Sequence, residues 1–407
     1  MTLQLMASTR PGRQLVALAE ELAVGFAECA GFHDRQASYP FASIDALRER
    51  GYFAAPVPEA LGGLGVTSVH DILVASSRLA RGDASIAIGV NMHLVAVINL
   101  LRRHSVAVAA GNERRIRAIG QSLEQIARDG VVMAAAISEP NQDLTRPATT
   151  ATRTPDGGWR IDGRKIFCTM SPATTVLYTA VSLIDDEGTE RYGFAMVPTD
   201  APGLTINDDW DAMGMRASGS HSVTLDAVPL PPEALRGGFR VGDPVPYMER
   251  NLAAGLFHAA ASLGIAEAAH GTALHSLVKK GGAGDARSRM LVAENAIDLG
   301  ASRATLSHGA RLIDELYAAY PTADEPDEAI VEVFTAAQVA KTFINEAAVR
   351  VVDRALSLSG GAGYFNGHPL GRAYRDVRAG AFMHPLGANR AYEFVGQVAL
   401  GLDPALR

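Results

Sequence analysis

Two side chains in the C-terminal half of the sequence could move a proton near neutral pH. Glu249, in Met248-Glu249-Arg250, offers a carboxylate that can serve as a base. It equally suits a first-turn glutamate held by a helix dipole after Asp243-Pro244. His384 offers an imidazole whose charge is set by its surroundings, and with Pro385 and Gly387 beside it the same residue could close a turn. Further upstream, Ser138 opens Ser138-Glu139-Pro140, and Phe167 and Thr169 end the run Asp162-Gly163-Arg164-Lys165-Ile166-Phe167-Cys168-Thr169. Hydroxyls and an aromatic ring could meet the edge and face of a ring cofactor, or could satisfy a local turn and fill a core. No metal is expected: His270 and His275 do not share a helical face, and no carboxylate completes a ligand set. Lone His93 and His258, in apolar stretches, read as satisfied core residues.

Three stretches of different periodicity must position these groups. Residues 1–130 read as helices, at Gln14–Cys29, Ile44–Tyr52, Ser68–Ala80, Ser85–Leu101 and Glu113–Asp129, with a loop at Pro56–Gly65. Residues 131–240 read as an antiparallel β domain, with strands at Val131–Ile137, Ala148–Arg153, Trp159–Ile161, Val176–Leu183, Tyr192–Val197, Leu204–Ile206 and His221–Leu225. Asp156-Gly157-Gly158, Asp162-Gly163, Asp185–Gly188 and Pro202-Gly203 separate them as hairpin turns. Residues 241–407 read as a four-helix bundle, with helices at Tyr247–Val278, Arg287–Ala319, Pro326–Ser359 and Arg390–Leu402. No GxGxxG opens a helix in the β stretch, which excludes a Rossmann dinucleotide site there.

The composition narrows the class. The chain has 407 residues, 48% hydrophobic and 20% charged, enough for two to three lobes around a large core. A net charge of −7 argues against nucleic-acid binding. Two cysteines, Cys29 and Cys168, make no disulfide framework and fit a reducing compartment. Neither a secretory leader nor a membrane span is expected, so a cytoplasmic protein is.

Helical lobe, β lobe and bundle occur here together with five motifs in order: 56–65, 138–140, 162–169, 214–218 and 360–376. This arrangement resembles the acyl-CoA dehydrogenase superfamily, with features of its flavin-dependent monooxygenase branch. The resemblance implies an α+β fold with an N-terminal helical domain, a middle β-barrel-like domain and a C-terminal four-helix bundle, assembled as a homodimer or homotetramer. It also implies FAD, or FMN in a monooxygenase. By the same resemblance Thr169 would meet flavin N5, Phe167 would pack on the isoalloxazine and Ser138 would bond its pyrimidine edge. Ser357 stands where a glutamine is common before the Gly360-Gly361 pair, which would complete the cofactor site. Two segments depart from the pattern, Asn141–Thr145 and Lys279–Asp285, and both would ordinarily touch cofactor phosphates.

The usual catalytic glutamate of such dehydrogenases falls, counted from Arg375, on His384. Some relatives carry the base on the first bundle helix instead, where Glu249 lies, with Arg250 beside it toward substrate. The leading expectation is therefore α,β-dehydrogenation of an acyl thioester with Glu249 as base, electrons passing to an electron-transfer flavoprotein. The alternative is a two-component monooxygenase fed by a flavin reductase, with His384 steering oxygen chemistry. A non-catalytic flavoprotein is the third reading.

Overall fold

The computed structural model describes residues 4–140, 143–281, 285–404 and 406. Helices α1 (Arg10–Gln36), α2 (Phe41–Glu49), α3 (Val69–Gly82), α4 (Ala84–Ala109) and α5 (Glu113–Arg128) come first. Strands β1 (Met133–Ala136), β2 (Thr150–Arg153), β3 (Trp159–Cys168), β4 (Val176–Ile184), β5 (Glu190–Pro198), β6 (Leu204–Ile206), β7 (His221–Leu230) and β8 (Leu235–Arg240) follow. The chain ends with α6 (Pro244–Arg250), α7 (Ala254–Lys279), α8 (Ala286–Ala319), α9 (Asp327–Ser359), α10 (Pro369–Asp376) and α11 (Ala388–Ala399).

The strands form one sheet in the order β6-β7-β3-β2-β4-β5-β8, with β1 paired to β4. It is a mixed sheet, which corrects the antiparallel expectation: β1 and β2 both run parallel to β4. The β2–β3 hairpin reverses the chain once, and the 3-10 turn at Ser171–Ala173 reverses it again, so β4 runs with β2. Strand β3 is also longer than its sequence pattern suggested, because Asp162-Gly163 is a bulge and not a turn. The pairing of β3 with β7 shifts register between Ile161 and Gly163. A Cβ at Gly163 would lie 2.4 Å from Thr149 Oγ1, so only glycine permits this close approach. The bulge lets β3 continue to Cys168 and deliver Phe167 and Thr169 at its end.

A second difference lies at the start of the bundle. The expected single helix from Tyr247 is broken after Arg250, and α6 and α7 meet at 43°. Neither proline nor glycine stands at residues 251–253. Asn251 supplies the break: its Nδ2 donates to the Tyr247 carbonyl at 2.8 Å, taking an acceptor that helix continuation would use.

One apolar core runs without interruption from α1, α3 and α4 into α7, α8 and α9, so the first and third stretches share an interior. The β sheet keeps its own core around Trp159, Ile161, Leu177, Val181 and Val223. Helix α4 is the one single helix among the described residues long and apolar enough to cross a membrane, and most of it is buried in the protein.

Candidate active site

A cavity of about 320 Å³ opens where the sheet meets the bundle. Ser138, Phe167 and Thr169 line its β side, and Arg378, Phe382 and His384 its bundle side. Two of the cofactor-site expectations share an anchor one residue away. Glu139, next to Ser138, accepts from Ala148 N (2.6 Å), Thr149 N (2.8 Å), Thr149 Oγ1 (2.6 Å) and Lys165 Nζ (2.6 Å). Burial works against this carboxylate, but Lys165 and the other donors outweigh it and hold its pKa below the usual range. The pair ties the loop carrying Ser138 to β3, and Ile166 N donates to Ser138 O at 2.9 Å.

Thr169 sits in a chain of hydroxyls. Ser218 Oγ lies 2.7 Å from Ser220 Oγ, and Ser220 Oγ donates to Thr169 Oγ1 at 3.0 Å. Among the described residues, the one acceptor facing the Thr169 hydroxyl proton is Phe167 O at 3.4 Å. Phe167 is 58% exposed, stands edge-on to Trp210 at 6.0 Å, and has φ of +55°. Met215, also on the cavity wall, has φ of +52°. Side chains rarely adopt this left-handed region, and its clustering around one cavity marks a site where geometry outranks backbone comfort.

The bundle side is held by ion pairs and buried amides. Arg375 pairs with Asp34 (2.9 and 2.5 Å) and donates to Met213 O at 3.0 Å. Asp376 accepts from Met215 N at 2.6 Å, and burial pushes its carboxyl up to about 7. His384 Nε2 lies 2.9 Å from Asn251 Oδ1 and 3.3 Å from the Tyr247 hydroxyl. Burial, aided by the Lys341 charge, pulls the His384 pKa down to about 3, so the ring is neutral.

His93 and His258 divide. His93 is the satisfied core residue expected: Met133 N donates to its Nδ1 (2.9 Å) and Nε2 faces Phe53 O (3.0 Å). His258 differs, since among the described residues its Nδ1 has no partner, and it lines the cavity beside His384.

The remaining candidates lie elsewhere. Glu249 lines neither this cavity nor the chamber beyond it. Burial raises its pKa, and the charges around it are Arg250, Glu325, Arg102 and Arg103. Arg250 points the other way and lines a chamber of about 50 Å³, its guanidinium 4.5 Å from the Phe194 ring centroid. Ser357, Gly360 and Gly361 are exposed at the end of α9, away from the cavity. Asn141 and Gln142 of the first departing segment, and residues 282–284 of the second, lie outside the described residues. Sequence reading missed Ser220, Asn251, Tyr247 and Lys341. Of these, Tyr247 and Asn251 carried a signal, their i, i+4 spacing on one helical face.

The cavity therefore offers a largely apolar space with hydroxyls on its β side, a displayed aromatic ring and an imidazole nitrogen without a partner among the described residues. These features fit a flavin ring. Three family models match the chain in order: acyl-CoA dehydrogenase N-terminal domain over residues 14–107, middle domain over 134–228 and C-terminal domain over 256–385. The chain belongs to the acyl-CoA dehydrogenase family. That family comprises flavin-dependent oxidoreductases, and its members similar to this chain include nitrososynthases. The chain is 34% identical over 405 residues to L-evernosamine nitrososynthase of a Micromonospora species, covering 97% of this chain and 92% of that one. It is 34% identical to the amino sugar nitrososynthase DnmZ of Streptomyces peucetius, covering 97% and 94%. Among solved structures, KijD3 in complex with FMN and dTDP-3-amino-2,3,6-trideoxy-4-keto-3-methyl-D-glucose superposes with a TM-score of 0.89 at 31% identity, covering 100% of this chain and 98% of that one.

Proposed function

We propose that this member of the family is a two-component flavin-dependent monooxygenase that oxidises the amine nitrogen of a nucleotide-linked amino sugar. One observation carries the reading: among the described residues, neither the cavity nor the chamber behind it has a carboxylate in its walls. α,β-Dehydrogenation of a thioester needs a base over the α-carbon, whereas oxygenation of an amine needs a neutral nitrogen lone pair and a dry, oriented pocket. Reduced FMN, when bound, supplies the two electrons that let O₂ place one oxygen atom on nitrogen and release the other as water.

The chain's own residues supply the rest. Ser138 and Thr169 would bond the ring edge, Phe167 would cover its face, and His384 would sit at the substrate end. The cavity shares Met92, Ile137 and His384 with the small chamber, which in turn shares Ala96, Asn99 and Tyr178 with a cleft of about 280 Å³. The Tyr178 and Phe194 rings stack there at 4.8 Å, with Arg250 and Arg103 along the path. An elongated substrate with a flat base and a diphosphate suits such a passage. The kinship with nitrososynthases supports the same substrate class.

The test supplies the protein with FMN, a flavin reductase, NADH and O₂ and offers dTDP-amino sugars, with acyl-CoA thioesters tested anaerobically against FAD-loaded protein. Mass spectrometry is expected to find an added oxygen on nitrogen. Anaerobic bleaching of the flavin by an acyl-CoA, without sugar oxidation, would overturn the proposal.

A further inference from the structure

We infer that Asn251 and Lys341 are positioning residues for His384, holding its imidazole in the Nε2–H tautomer with Nδ1 left as a hydrogen-bond acceptor. Asn251 Nδ2 donates to the Tyr247 carbonyl, which only the amide nitrogen can do, so the other carboxamide atom facing His384 is the oxygen. An oxygen 2.9 Å from Nε2 requires a proton on Nε2. In a neutral ring that leaves the lone pair on Nδ1, and Nδ1 has no hydrogen bond among the described residues.

Lys341 fixes the backbone of the same residue. From α9 its ammonium, 2% exposed as a residue, donates to the carbonyls of Met383, His384 (3.3 Å) and Leu386 (2.6 Å). Among the described residues no carboxylate pairs with it, and its charge, bound to the backbone of His384, opposes a second positive charge on the ring. Burial alone draws the Lys341 pKa down to about 7, while its three carbonyl acceptors favour the charged form. The titratable groups around His384 are Tyr247 on α6, His258 on α7, Lys341 on α9, and Arg375 and Arg378 on the cavity wall. None is an acid that could stabilise an imidazolium.

The use of this acceptor rests on the amine-oxygenation reading. A neutral acceptor can take a hydrogen from a free-base amine and aim the nitrogen lone pair away from itself. An ammonium substrate, by contrast, meets only neutral or positive groups.

Ring-¹⁵N-histidine NMR of the flavin-free protein tests the holder without any substrate, with the His384 signals assigned by their loss in His384→Ala. The wild type should show a protonated-type Nε2 and a lone-pair-type Nδ1, unchanged from pH 8 to pH 5. Asn251→Ala should pull both resonances toward the averaged position of a freely exchanging ring. Asn251→Asp, which keeps the oxygen and adds a negative charge, should make His384 titrate at higher pH. Lys341→Gln should do the same by removing the opposing charge. Should Lys341→Gln not fold, the two Asn251 variants decide alone. A proton on Nδ1 in the wild type, or Asn251 variants that fold and leave both resonances and their titration unchanged, would overturn the inference. A confirmed tautomer with no oxidation of amino sugars would leave the holder standing and remove only the substrate reading.

Discussion

The two sides of the short helix α6 differ in a way that separates the chemistries open to this fold. Tyr247 and the following Asn251, four residues apart, turn toward His384, and the groups they present are a phenol and a neutral amide. Glu249, two residues on from Tyr247, is rotated by about 200° at 100° per residue. It faces a cluster where Arg102 pairs with Glu325 and donates to the Tyr320 carbonyl at 2.6 Å. Arg102 is thus a buried tie between α4 and the end of α8. Around the chamber behind the cavity, Tyr247, Asn251 and Arg250 present no carboxylate, and the one carboxylate of α6, Glu249, is buried on the other side. A family that places its base on this helix needs the carboxylate on the other face.

The largest effect that could break this contrast is at His384. His384→Ala should cut oxygenated product by a factor on the order of 10² or more, while NADH and O₂ consumption continue and H₂O₂ accumulates. Product yield per NADH measures it. A variant that keeps its yield would take His384 out of the site and leave Tyr247 and Asn251 without a role.

Thr169→Val comes next. It removes one hydroxyl from the Ser218–Ser220–Thr169 chain and keeps the side-chain volume. A lost buried hydrogen bond costs about 1–3 kcal/mol, so FMN affinity should fall by roughly fivefold to 150-fold. Titration of the flavin-free protein with FMN reads the change, and an unaltered affinity would place the flavin edge elsewhere.

The neutral histidines set a smaller effect that appears as pH-dependent stability. His93 is lowered to about 4, His384 to about 3 and His258 well below its ordinary value, in each case chiefly by burial. Below an unfolded value of 6.5 the unfolded chain binds protons that the folded chain refuses, so stability falls as pH drops from 6.5 toward 4. Each histidine contributes up to about 1.4 kcal/mol per pH unit in that window. Calorimetry in buffers of different ionisation enthalpy should show close to three protons taken up at these sites on unfolding near pH 5. Uptake of none would mean that the rings are charged in the folded protein.

The same pair of faces shows what the sequence made legible. The three-part order and most helices followed from period, because local spacing governs them; Ser138, Phe167 and Thr169, singled out by resemblance, line one cavity. The mixed sheet did not, since Asp162-Gly163 has the composition of a turn and becomes a bulge only through close approach to Thr149. The helix break did not either, because Asn251 breaks the helix with a side-chain hydrogen bond and not with a proline or glycine. Lys341 was invisible for a third reason: its partners are backbone carbonyls more than 40 residues away, which carry no sequence signature.

The smallest effect sharpens the contrast from the other side. Glu249→Gln keeps the size and hydrogen-bonding reach of the side chain while removing its charge. Under the dehydrogenase reading this substitution would abolish the base; in a monooxygenase whose cavity and chamber lack Glu249, product yield should stay within about twofold. Stability should move instead. Burial raises the Glu249 pKa above the ordinary 4.5, with Arg250 opposing and Glu325 reinforcing the rise. The folded chain therefore holds this proton more tightly than the unfolded chain, and wild-type stability declines as pH rises from about 4.5 through the raised folded value. Glutamine removes that decline, so the variant's gain in melting temperature over the wild type should be larger at pH 7 than at pH 4. A variant destabilised more at pH 7 than at pH 4 would mean that the carboxylate is held as an anion by Arg102 and Arg103, and the cluster would then be an ion-pair network in which Glu249 is a working member.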